Sequence, residues 1–265
     1  MPETFLILLA GGIILAAAVS SPAQVTLNWL RLCGILALVM AAVGLFFYFT
    51  RDAQPAQLSP RMRNIQVALL IASVALILGQ LAFVQVAWRR TQRIVAAAAF
   101  VVAVLAATNL LHEMMIPLGT ATRYPPKLWA MTIQAFAAAG IGAASGLALM
   151  DMLLGHAYLT ASRMTIAPFR RLNLWVAAML IIRALLAAAA TITMPREVWM
   201  RDGLFILTRW LVGLLVPAVF IYMAHDCIKR RSTQSATGIL YVAGVLIFVG
   251  EIVALYLVRS TGLPF

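Results

Sequence analysis

Eight times along this 265-residue chain an apolar run of roughly 20 residues appears, the length an α-helix needs to cross ~30 Å of hydrocarbon. The runs are Glu3–Ser20, Leu30–Phe49, Asn64–Trp88, Ile94–Leu111, Leu128–Leu154, Leu172–Thr193, Leu204–His225 and Thr237–Val258. They predict an all-α polytopic membrane bundle of about eight transmembrane helices, a single transmembrane domain over 1–265. A β-barrel would show short alternating segments instead of long Leu, Ala and Val runs. Composition agrees: the chain is 64% hydrophobic and 11% charged, where a soluble domain averages about 45–50% and about 25%.

The formal charge of +12 does not point to nucleic acid, because the arginines sit in short connections where basic residues anchor and orient helices. Every adjacent basic pair flanking a span (89–90, 170–171 and 230–231) falls on an odd-numbered connection. That bias puts the odd connections in the cytoplasm and both termini outside. The first segment, MPETFLILLAGGIILAAAVSSPA, lacks the positive n-region of a signal peptide and reads as a retained span. Span 3 ends in WRRTQR and span 7 in KRRSTQ, an echo that suggests four-helix halves at 1–127 and 128–265. The connections are short, and none could house a soluble catalytic domain.

Three charges interrupt the apolar runs. Glu251 lies deep in span 8, Arg209 in span 7 and Arg183 in span 6. A lone charge in hydrocarbon costs at least ~2.5–3.5 kcal/mol, so an intramembrane acid needs a cation or enclosed water. Counting residues from the span ends puts Glu251 and Arg209 at similar depth, so Arg209 is the first expected partner and Arg183 the second. Two readings follow: an ion pair that fixes helix register, or a polar pocket for a ligand head group or a proton path.

His156 follows span 5 and His225 ends span 7, both on the inner side, which meets the depth condition for axial ligation of haem b. Asp151 and His156 are five apart, some 140° around a helix, and form no dyad unless the helix breaks at Gly155. Gln80, Gln85, Asn109 and Gln134 are candidates for interhelical hydrogen bonds. Trp29, Trp88, Trp129, Trp175 and Trp199 sit at span ends as an interfacial belt would. Gly140, Gly142, Ser145 and Gly146 form a small-residue face for close helix approach. The cysteines, Cys33 and Cys227, have no metal-ligand spacing around them, and no phosphate loop or nucleophile elbow is present.

An arginine in span 7 (LTRWLVGLL) and a Gly-Glu pair inside the last span (LIFVGEIVALYL) resemble the membrane-anchor subunits of the dimethyl-sulfoxide-reductase and polysulfide-reductase type. Those are eight-span, quinol-interacting proteins that dock an iron–sulfur subunit. The resemblance covers about 50 residues and carries over to Arg209, Gly250 and Glu251. The family's pattern has a quinol-site histidine near the outer end of its second span, where this chain reads FFYFTRDA. The resemblance implies a quinone-reactive subunit of a respiratory complex in the bacterial inner membrane, working with other subunits. Glu251, Arg209 and Arg183 would form its quinone or proton pocket. A proton-coupled secondary transporter and a non-catalytic scaffold subunit are the rival classes. The transporter predicts broken helices at mid-depth, and Pro217 with Gly213 is the interruption the sequence offers.

Overall fold

The computed structural model describes residues 1–20, 25–50, 60–115, 128–160 and 165–265. The proline-containing stretches Ser21-Pro22, 52–59 and Tyr124-Pro125-Pro126 lie outside those residues, as do the side chains of Glu113 and Trp129. Among the described residues the secondary structure is entirely helical. The helices are α1 (Pro2–Val19), α2 (Leu27–Thr50), α3 (Pro60–Gln85), α4 (Arg89–Met115), α5 (Leu128–Thr160), α6 (Ala167–Thr193), α7 (Arg196–Lys229) and α8 (Thr233–Thr261). Each contains a stretch long and apolar enough to span a bilayer, and the chain is a multi-pass helical membrane protein. Several helices outrun the expected apolar spans; α5 and α8 have 33 and 29 residues. Helices longer than the hydrocarbon thickness tilt or extend into the interface.

Local chemistry sets the ends. Proline opens α1 and α3, lies in the first turn of α6 and precedes α7 as Pro195, positions where its missing N–H costs nothing. The α3–α4 and α7–α8 connections are tight turns of one design. Each places a residue at positive φ (Ala87 at 59°, Arg231 at 61°), and the next N–H reaches back five residues, from Trp88 to Phe83 and from Ser232 to Cys227.

Packing groups the helices in two sets of four. In the first, α1 and α3 each pack on both α2 and α4; in the second, α5 and α7 each pack on both α6 and α8. The sets join where α1 lies along α5. There the backbones meet: a Cβ added at Gly12 would stand 1.7 Å from the carbonyl oxygen of Gly142, and one at Gly146 would stand 2.0 Å from the carbonyl carbon of Gly12. Gly142 and Gly146 of the small-residue face expected on α5 thus form the seam between the two sets, while Gly140 points elsewhere, toward Arg183. Such close approach supplies dispersion contact in lipid, where no hydrophobic force draws helices together.

Enclosed α1 and α5 contrast with α2, α3, α6 and α7, which turn residues such as Phe46, Phe49, Ile71 and Leu185 outward. Asn109 Nδ2 donates to Gln66 Oε1 at 2.7 Å, linking α4 to α3, and Arg31 Nη2 donates to Gln85 Oε1 at 2.7 Å, linking α2 to α3. Gln80 is buried against Gly34 with no partner among the described residues. Trp88, Trp175 and Trp199 are exposed near helix ends, as an interfacial belt requires. Trp29 is not part of that belt: it is 3% exposed and packs in the core beside α1.

Candidate functional site

Helical periodicity brings the three intramembrane charges inward. On α6 the buried stripe runs Val176, Leu180, Arg183, Ala187, Ala190; on α7 it runs Val198, Asp202, Ile206, Arg209. Glu251 sits on the α8 stripe with Ile247, Gly250 and Ala254. Arg183 and Glu251 each lie ten residues before their helix's last residue, ~15 Å at ~1.5 Å per residue, so their depths match.

The three side chains meet with no exposed surface. Arg183 Nε donates to Glu251 Oε1 and Oε2 at 3.2 and 3.0 Å, and its Nη2 lies 2.8 Å from Oε2. Arg209 Nη1 donates to Oε1 at 3.1 Å. Arg183 is therefore the fuller partner and Arg209 the lesser, the reverse of the order expected from counting depth along the spans. In the α5–α8 set α6 and α8 stand diagonally, and the long Arg183 side chain crosses the middle past Gly140. A Cβ at Gly140 would come within 2.7 Å of Arg183 Cδ. Glycine at this position gives the guanidinium its path.

Two features frame the cluster. First, α7 changes to a π-helical turn at Leu211–Leu215, with the Val216 N–H bonded to the Leu211 carbonyl. Pro217 explains it: without an N–H, and with its ring against the carbonyl four residues back, it cannot continue a regular turn. Gly213, inside this turn, touches Gly250 backbone to backbone; a Cβ on Gly250 would fall 2.2 Å from Gly213 Cα. Second, the tail after α8 folds back. Gly262 adopts φ 76°, and Phe265 is buried among Ala190, Ile206, Ala254 and Leu257. The Phe265 carbonyl accepts a hydrogen bond from Arg183 Nη2.

Asp202 was not singled out from sequence, yet it is 2% exposed. It accepts from Arg201 Nε and Nη2 at 3.1 and 2.8 Å, and the Tyr256 hydroxyl lies 3.4 Å from its other oxygen. Its spacing of seven from Arg209, two helical turns, was the available signal.

A separate cavity of about 310 Å³ lies between α6 and the second half of α7. Its walls include Ala177, Ala184, Trp210 and Leu214, and it opens on a flank carrying exposed Leu174, Ile181 and Tyr222. One end is polar. His225 Nδ1 lies 3.1 Å from Asn173 Oδ1, and Asn173 Nδ2 donates to Asp151 Oδ2 at 3.0 Å. Asp151 is fully buried, and its Oδ1 has no partner among the described residues. A relay of three helices, α5, α6 and α7, thus ends at the cavity wall.

The expected haem pair is placed differently by the two helices. His225 lines the cavity, while His156 is exposed on α5 and does not line it. Helix α5 runs unbroken through Gly155, with Asp151 inward and His156 outward, so no Asp151–His156 dyad forms. Among the described residues no three His, Cys, Asp or Glu side chains group as a metal site would require. Cys33 and Cys227 are free thiols. No family model, curated protein or solved structure matches this chain.

Proposed function

We propose that this chain is a quinone-interacting membrane subunit of a bacterial redox complex, resident in the inner membrane with both termini on the outer side. The observation that carries the reading is the lipid-facing cavity between α6 and α7 and its polar end. A quinone is an apolar molecule with two carbonyl oxygens that exchange protons on reduction. A largely apolar cleft with a few placed polar groups suits its ring. His225 offers a hydrogen-bonding nitrogen at the wall, and Asn173 couples it to the buried carboxyl of Asp151. His225 can give a proton to or take one from a bound carbonyl, and the Asn173 amide, itself held by Asp151, fixes the imidazole at the wall. Glu251, Arg183 and Arg209 hold α6, α7 and α8 in register at the same time, keeping the walls of that cleft in place. Partner subunits carrying the electron-transfer centres complete the assembly.

The test is quinone binding to the purified full-length chain, read by photolabelling with an azido-quinone. Label should fall on α6 and α7, and Ala177→Trp, which fills the cleft, should abolish it. Glu251→Gln separates the cleft from the charge cluster. Loss of labelling in that variant with the fold intact would return the head group to Glu251. Unchanged labelling in Ala177→Trp removes the cleft as the site.

A proton-coupled carrier is favoured by one specific observation, the π turn at Leu211–Leu215 beside the charge cluster, since carriers bind at broken helices near mid-membrane. Uptake into proteoliposomes that depends on a proton gradient would support it.

A further inference from the structure

The walls of the cleft between α6 and α7 continue past its polar end into two cations. The lining recurs at helical spacing, through Asn173, Ala177 and Ala184 on α6 and through Ala218, Ile221 and His225 on α7. One turn nearer the membrane surface the same stripes carry Arg170, three residues before Asn173, and Lys229, four residues after His225. Both are exposed, and among the described residues neither side chain has a hydrogen bond or an ion pair. Both act electrostatically on the His225 imidazole, so they flank the polar end of the cleft. The carboxylate that also reaches His225, Asp226, is paired with Arg230 at 2.9 Å. From that end the cleft runs to Ala184, eleven residues along α6 from Asn173, or ~16 Å at ~1.5 Å per residue. Half of the ~30 Å hydrocarbon thickness is about that length, the depth of one leaflet.

We propose that this groove holds one anionic phospholipid, its phosphate between Arg170 and Lys229 and one acyl chain along the cleft toward mid-membrane. Position, shape and charge each select that ligand. Arg170 is the fourth residue of α6 and Lys229 the last of α7, so the two cations stand at the level where head groups lie. Below them the groove opens sideways past exposed Leu174, Ile181 and Tyr222, and a chain enters from the bilayer without crossing water. At the deep end Trp210 spends its indole N–H on Thr191 and turns only its ring to the cleft. A zwitterionic head group would bring an ammonium with no free carboxylate to meet it, because Asp226 is taken by Arg230. A free phosphate ion would meet the cations and leave the apolar length empty. The lipid occupies the groove when no quinone does. It needs only the groove and its two cations, and so stands without the quinone reading.

The experiment titrates the purified, delipidated full-length chain with phosphatidylglycerol or phosphatidylcholine of identical acyl chains. Native mass spectrometry counts bound lipid, and thermal unfolding gives the half-saturating concentration. Wild type should bind about one phosphatidylglycerol, roughly tenfold more tightly than phosphatidylcholine, and inorganic phosphate should not displace it. Arg170→Gln combined with Lys229→Gln should abolish that preference. Arg90→Gln combined with Arg171→Gln removes the same charge from the same end of the bundle, off both stripes, and should preserve it. All four side chains are exposed, so both double variants should fold. Ala177→Trp should weaken the binding of both lipids. No preference in wild type, an equal loss in the two double variants, displacement by phosphate, or unchanged binding in Ala177→Trp each overturns the proposal. The quinone reading fails separately: azido-quinone labelling in lipid-free detergent should survive the Arg170→Gln, Lys229→Gln pair, and its absence from wild type would leave the lipid titration as it is.

Discussion

Arg183 grips Glu251 through both carboxylate oxygens, from a helix that stands diagonally across the four-helix set. Arg209, on the neighbouring helix, donates a single nitrogen to one of those oxygens. The two arginines should therefore differ in what they contribute. Removing one partner of a buried ion pair costs ~3–5 kcal/mol, because the other is left uncompensated. Arg183→Met should show a loss of that size in detergent unfolding. Arg209→Met should lose about 1.5–3 kcal/mol, the value of one hydrogen bond to a charged group. Equal losses would mean that the carboxylate is shared evenly.

The α1–α5 seam gives a sharper contrast. Gly12→Ala would press a methyl group into the Gly142 carbonyl, where neither backbone can yield. Overpacking in a close-fitted core costs ~1–3 kcal/mol, and backbone against backbone should reach or exceed the upper value. Gly203→Ala and Gly238→Ala meet nothing within 4 Å and should raise stability by about 0.5–1 kcal/mol through helix propensity. Unfolding midpoints of the three variants check both signs.

A π turn holds one more residue than the α turn it replaces. Deleting Leu215, which is 52% exposed, together with Pro217→Ala, which restores the missing N–H, should let α7 close as a regular helix with Arg209 still on Glu251. Deleting Ile247 from the regular part of α8 should instead rotate Glu251 by ~100° off its stripe and unfold the protein. Expression and monodispersity of the two deletions distinguish them.

In the cavity relay, Asn173 is the residue on which the others depend. Asn173→Leu strips the fully buried Asp151 of its amide donor and should cost ~1–3 kcal/mol. His225→Phe leaves the Asn173–Asp151 bond standing and should cost less, while removing the nitrogen that faces the cleft. Stability equal in the two variants would argue against the relay.

Most of the architecture could be read from hydropathy, because spans of fixed length leave few alternatives. The meeting of Glu251 with Arg209 and Arg183 followed from depth along each helix. Azimuth was harder. In a bilayer both the lipid-facing and the protein-facing sides of a helix are apolar, so the pattern rarely says which way a polar residue points. That is why Asn173 passed without notice, although it joins α5 to α7. Asp202 was overlooked for another reason: it lies close to the start of α7, where a charge is expected to be solvated. The short tail ending at Phe265 has no periodicity at all, and only its fold-back reveals that it reaches Arg183. Trp29 followed the belt rule by position and broke it by orientation.

The meeting of Gly12 with Gly142 and Gly146 bears on how the chain is made. Helix α1 is synthesised before α5, yet α5 is the helix whose backbone it meets, more than a hundred residues downstream. Until that later segment enters the bilayer, α1 lacks the backbone that fills its glycine notch. Synthesis must therefore bring four further segments into the membrane before the first can settle in its final place.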